Sequence, residues 1–132
     1  MREIALRSDI VLPWHSVQLT TGQFVVCHGE YGRGLHQVCV VGDDAKVTRS
    51  YGGECGSGVG QMICPLHMAI DKDSQFIFVA DWLNDRVVLL SPTLEFVRYL
   101  DRLSDPRRLY LHQATRRLFV GRSNRAVTVI QL

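Results

Sequence analysis

The sequence has no apolar run approaching the roughly 20 residues that a membrane-crossing helix needs, and Met1-Arg2-Glu3-Ile4-Ala5-Leu6-Arg7 lacks the apolar core of a secretory leader. No membrane role is expected, and a cytoplasmic location is the default expectation. Cysteine is sparse: four residues at 27, 39, 55 and 64, with no Cys-x-x-Cys pair to suggest zinc or redox chemistry. Cys27 and Cys39 sit within apolar runs, where a reduced thiol behaves as a small hydrophobe. Cys55 and Cys64 flank a glycine-rich loop and would bridge only in an oxidising compartment. Charge of either sign is not in excess, since the net charge is +2. Neither a polybasic tail nor an acidic partner follows from composition. The loop Gly56-Ser57-Gly58-Val59-Gly60 has no Gly-Lys-Ser/Thr after it, so a phosphate cradle is excluded. No paired-carboxylate motif or Ser/His/Asp order stands out, and no cofactor is expected.

What is present is a repeated pattern of short strands. Pro65 to Asp71, Gln75 to Asp81 and Asp85 to Leu90 are runs rich in Val, Ile, Phe and Leu, separated by turn residues, and Glu95 to Leu100 follows Ser91-Pro92-Thr93. Such runs read as a four-stranded antiparallel meander. The pattern reopens at Pro106, 41 positions after Pro65, and begins earlier at Pro13, 52 positions before it. Phe24 to His28, Val38 to Val41 and Val47 to Tyr51 supply the first copy's later strands. Its 11 additional residues fall after His28 and after Tyr51. The fold class is therefore all-β, with a blade over 12–51, a blade over 64–100 and a partial blade over 105–132.

Tyr51-Gly52-Gly53, Cys64-Pro65, Met68-Ala69-Ile70-Asp71, Phe78-Val79-Ala80-Asp81 and Asn84-Asp85-Arg86-Val87 together resemble an NHL repeat, most specifically in this middle copy. The first copy has His28 in the place of the motif's Asp81, and the third has Arg122. The resemblance implies blades of a β-propeller, most often six-bladed, as in tripartite-motif ubiquitin ligases. It implies binding of protein or RNA far more often than catalysis.

The strand count suggests how a ring would close. The third copy stops after its third strand, whereas residues 2–7 alternate like a lone strand ahead of the first blade. Twelve strands make three blades' worth, permuted by one. A closed propeller needs at least four blades, so either the chain is a fragment or copies assemble: a homodimer is expected, each strand 2–7 completing a blade of the partner and two half-propellers making six blades, or else a companion half on another chain.

Function is expected on the rim formed by the connections between second and third strands and between blades. There Tyr31, Arg33, His36, Trp82, Arg86, Arg122 and Arg125 are the candidate ligand-binding residues, because arginine interleaved with aromatics suits a protein hot spot or RNA. Carboxylates including Asp9, Glu30, Asp85, Asp101 and Asp105 share that rim and nearly cancel its charge. Asp81 and Arg86 are expected to pair across a turn, with Arg125 in the Arg86 place and Arg122 the freer arginine. Trp14 is expected to pack between blades. His15 and His67, each two residues after a blade-opening proline, are weak metal candidates, and structural histidines are the plainer reading. A protein or peptide partner is the leading expectation, single-stranded RNA the second, and a metal-dependent lyase or hydrolase the third.

Overall fold

A computed structural model describes residues 1–100 and 102–132; the rim carboxylate Asp101 lies outside them. Three antiparallel sheets follow one another along the chain. Blade one comprises β1 (Pro13–Gln18), β2 (Phe24–Glu30), β3 (Arg33–Val41) and β4 (Val47–Gly53), and blade two β5 (Pro65–Ile70), β6 (Ile77–Asp81), β7 (Arg86–Leu90) and β8 (Phe96–Tyr99). Blade three has three strands, β9 (Pro106–His112), β10 (Arg117–Arg122) and β11 (Val127–Gln131). Every strand pairs with its sequence neighbour, as a meander requires.

The repeat is written in the backbone as well as in the side chains. Leu12, Cys64 and Asp105, each just ahead of a blade-opening proline, have φ of 51°, 52° and 56°. Proline disfavours the right-handed helical region in the residue before it, and here that residue turns left-handed in all three copies. Gly22, Gln75 and Arg116 take positive φ in the turns between first and second strands, and Ala45 and Leu94 in those between third and fourth.

The core lies between blades. Val25, Cys27, Val38 and Val40 of blade one pack against Met68, Ile77, Val79, Val88 and Leu90 of blade two. The other face of blade two, Ala69, Phe78, Ala80 and Val87, packs against Leu109, Leu118 and Val120 of blade three. Cys27 and Cys39 are fully buried, and all four cysteines are free thiols. Burial pushes the Cys27 thiol up to about 12.

Within this single chain residues 2–7 pair with no strand, and Leu6 packs with Ile10, Val26, Cys39 and Val41 on the first face of blade one. One expectation changes. The stretch after His28 is not a loop. β2 and β3 run on to Glu30 and Arg33 across the two-residue turn Tyr31-Gly32, because Gly29, at φ 149°, absorbs an irregularity in the ladder.

Candidate functional site

The linker into blade two organises one end of the molecule. Its backbone at residues 54–64 would otherwise be an irregular segment with unmet polar groups. Arg86 meets them: its guanidinium donates to the carbonyls of Ser57 at 2.6 Å and Gln61 at 2.9 Å, and to the Asp81 carboxylate at 2.8 Å. Asp81 in turn accepts the Ile63 N–H at 2.8 Å and an Asn84 amide N–H at 2.8 Å. Asp81 is fully buried and the Arg86 side chain 11% exposed. Arg86 is thus removed from the ligand-binding set, being consumed in holding the loop, while its expected pairing with Asp81 stands.

Blade three performs the same task with inverted polarity. Arg122, in the Asp81 place, donates to the Ser104 carbonyl at 2.8 Å and also to the Ser104 hydroxyl, so it is not the free arginine that was expected. The Arg122 N–H donates to the Ala126 carbonyl at 3.0 Å, which makes Ala126, not Arg125, the counterpart of Arg86. The offset arises because the short 3-10 turn Trp82–Asn84 gives blade two one more residue in this connection. Arg125 therefore matches Asp85, and both are left-handed, with φ of 62° and 52°.

His36 is the other removal. It is fully buried, and its Nδ1 accepts the Cys64 N–H at 2.9 Å, ordering the turn into blade two. Tyr31 is 75% exposed at the tip of the β2–β3 hairpin, and Arg33 is held beside Glu30 at 3.2 Å. Both are solvent-facing, but neither lines the pocket to which the remaining candidates belong.

That pocket, about 580 Å³, is lined by Trp14, Leu66, Trp82, Arg107, Arg108, Arg122 and Arg125, with Gly121, Ala126 and Val127 of blade three. Trp14, Leu66 and Arg107 each follow a blade-opening proline, so one position of the repeat supplies a wall from all three blades. Aligning the copies on their prolines is the signal by which Trp14 and Arg107 join the set. Trp14 does not pack between blades; it is 48% exposed, with its indole N–H donating to the Gly29 carbonyl at 2.9 Å. The Trp82 indole N–H donates to Asp105, and the Arg107 guanidinium lies over the Trp82 ring at 4.6 Å. Among the described residues, no side chain lining the pocket is a carboxylate. Arg107 has Asp105 at 3.2 Å, Arg108 bonds the Arg107 carbonyl, and among the described residues Arg122 has only neutral acceptors. The result is a basic, partly apolar recess suited to an anionic group.

His15 and His67 come together elsewhere, stacked with ring centroids 3.7 Å apart. His15 Nδ1 accepts the Met68 N–H at 3.2 Å, and His67 Nδ1 accepts the Leu109 N–H at 3.1 Å. An accepting Nδ1 places the proton of the neutral ring on Nε2, leaving no ring nitrogen with a lone pair for a metal. Burial first, then the charge of Arg108, holds His15 below its ordinary value; burial, His15 and Arg108 hold His67 down to about 4. The donor set does not fit a metal, and the metal-dependent reading loses its candidates. These rings are joints between inner strands.

No family model matches the sequence, and no curated protein does. Among solved structures, hydrazine synthase of Kuenenia stuttgartiensis is similar over 99% of this chain and 36% of its own, with a TM-score of 0.72 and 18% identity. A protein of unknown function from Bacteroides caccae is similar over 86% of this chain and 40% of its own, with a TM-score of 0.57 and 12% identity. The chain thus spans well under half the length of either. At these identities the likeness bears on fold alone, and with the sheet order it makes this chain an all-β, propeller-like array of antiparallel blades.

Proposed function

We propose that the chain is an NHL-type half-propeller that binds a protein or peptide segment bearing carboxylates, two copies closing a six-bladed ring. The observation that carries the binding reading is the recess in which Arg107 and Arg122 stand beside Trp14 and Trp82 with no lining carboxylate among the described residues. Arginine and tryptophan are the side chains that contribute most at protein interfaces, the one by forked hydrogen bonds, the other by buried area. A peptide suits the recess better than RNA does. Both indole N–H groups are tied down and one face of Trp82 is covered by Arg107, which limits base stacking.

Titration with a fluorescent peptide of alternating Glu and Leu, read by anisotropy and by tryptophan emission, tests this. Binding that weakens at least tenfold in Arg107→Glu and in Arg122→Glu, and weakens with salt, is the expected result. Absence of binding, or preference for a single-stranded RNA of equal charge through the same arginines, replaces the reading.

A further inference from the structure

At the inner strands and on the rim, the two joints inside the chain are built alike: the blade in front supplies acceptors and the blade behind backbone N–H groups, while at the first-to-second-strand turns Gln75 and Gln113 of the blade behind accept the Thr20 and Lys72 N–H groups. Between inner strands, His15 Nδ1 takes the Met68 N–H and His67 Nδ1 takes the Leu109 N–H. On the rim, His36 Nδ1 takes the Cys64 N–H, and Asp85 Oδ1 takes the Asp105 N–H at 2.7 Å. His36 and Asp85 are equivalent, each standing one residue before the strand partner of His28 or Asp81.

Blade three breaks this pattern at both positions. Arg108 stands where His15 and His67 stand, opposite Gly121 as His67 is opposite Ala80. Arg125 stands where His36 and Asp85 stand. A guanidinium only donates, so neither residue can hold a following N–H. The face that carries Arg108 is also open. Tyr110, Val127 and Val129 are 60%, 64% and 51% exposed, while Ala69 and Val87, the blade-two counterparts of the first two, are 8% and 0%, and Leu89, that of the third, is half-buried.

The first face of blade one departs in the complementary sense. Ser16, exposed, stands where Met68 and Leu109 are buried. Asp9 stands four residues ahead of the opening proline, where the later copies have Gln61 and Arg102. It adjoins Ile10, the counterpart of Leu103, whose N–H bonds the Asp85 carbonyl at 3.1 Å. Glu3 to Leu6 precede Pro13 by the same interval at which β8, Phe96–Tyr99, precedes Pro106, and β11 lacks the outer neighbour that β7 has in β8.

We infer that the open face of blade three takes a second copy of this chain through an arginine–acid seam unlike the internal joints. Arg125 meets the partner's Asp9, Arg108 meets the hydroxyl of the partner's Ser16, and residues 3–6 of the partner lie along the outer edge of β11. Charge complementarity names the occupant: Arg108 and Arg125 mark the one face, and Asp9 the other. In the single chain Asp9 is held by Arg7, and forming the seam exchanges that exposed pair for an intermolecular one. This inference rests on the two-chain reading above.

The test is light scattering over a dilution series with the full chain and two charge reversals, Asp9→Arg and Arg125→Asp. Each variant alone sets like charge against like charge at both seams of a twofold dimer, and its dissociation midpoint is expected at least tenfold above that of the unaltered chain. Mixed in equal amounts, the two variants pair arginine with aspartate at both seams, and the dimer returns. Variants as dimeric as the unaltered chain, or a mixture that stays monomeric, overturn the seam. An unaltered chain that is itself a compact 14.9 kDa monomer overturns the two-chain reading as well, leaving peptide binding at the recess to its own titration.

Discussion

Asp81 and Arg86 show how one residue pair is spent on architecture. The guanidinium reaches two carbonyls of the linker and the carboxylate, and Tyr99 lies beneath it at 4.2 Å. Replacing Arg86 with alanine strands a buried carboxylate and frees the linker. Arg86→Ala should therefore lose about 3–5 kcal/mol of unfolding free energy, the cost of removing one partner of a buried pair, measured by urea denaturation. The pairing was legible in the sequence because both residues flank one turn. The linker carbonyls were not, since Ser57 and Gln61 lie far away in the chain and offer only backbone. His36 was misplaced for a related reason. A histidine near glycines reads as a loop residue, and nothing local reveals that its ring fills the space left by Gly29, where an added Cβ would lie 2.8 Å from Nδ1.

At the scale of the strand, neighbouring glycines divide by geometry. Gly52 and Gly53 both end β4, but Gly52 has φ 103° and an added Cβ would overlap the His36 carbonyl oxygen, while Gly53 has open space. Gly52→Ala is expected to destabilise by about 2 kcal/mol, through strain and backbone displacement, whereas Gly53→Ala should stay within about 0.5 kcal/mol. Parallel urea titrations of the two variants check the contrast. Most strands were readable, because β-branched runs between turn residues signal them, and blade three's lack of a fourth strand was readable by count. The length of the β2–β3 hairpin was not. Gly29, Gly32 and Gly34 look like loop residues, yet their positive φ serves to carry the ladder onward. The place of Arg125 was missed by one residue because a 3-10 turn cannot be told from a tight turn by spacing alone.

Across the whole molecule, the joints make stability depend on pH. His15, His28, His36 and His67 are all held below the ordinary histidine value, with burial the first cause in each. The unfolded chain then takes up protons at a higher pH than the folded one. Their contribution is complete above about pH 6.5, the unperturbed value, and is lost as pH falls, for His67 down to about 4. The urea midpoint should fall steadily across that window, and His67→Gln, which keeps an acceptor but no titrating ring, should flatten the slope. Carboxylate titration overlaps the lower end of that window, since burial pushes the Asp81 carboxyl above its ordinary value. Asp71 is held well below the usual carboxylate range because hydrogen bonds from Gln113 and Arg116 outweigh burial, which acts in the opposite direction, and its contribution disappears only as pH falls further.

Repeats invite error during folding, since one blade resembles another and a chain can collapse against the wrong copy of its neighbour. The switch from acceptor to donor at Arg108 and Arg125 sets one blade apart from the others. If blade two of a neighbouring chain settled on blade three, the Met68 and Cys64 N–H groups would face guanidinium groups that cannot accept them, so the contacts that join blade one to blade two within the chain have no equivalent there.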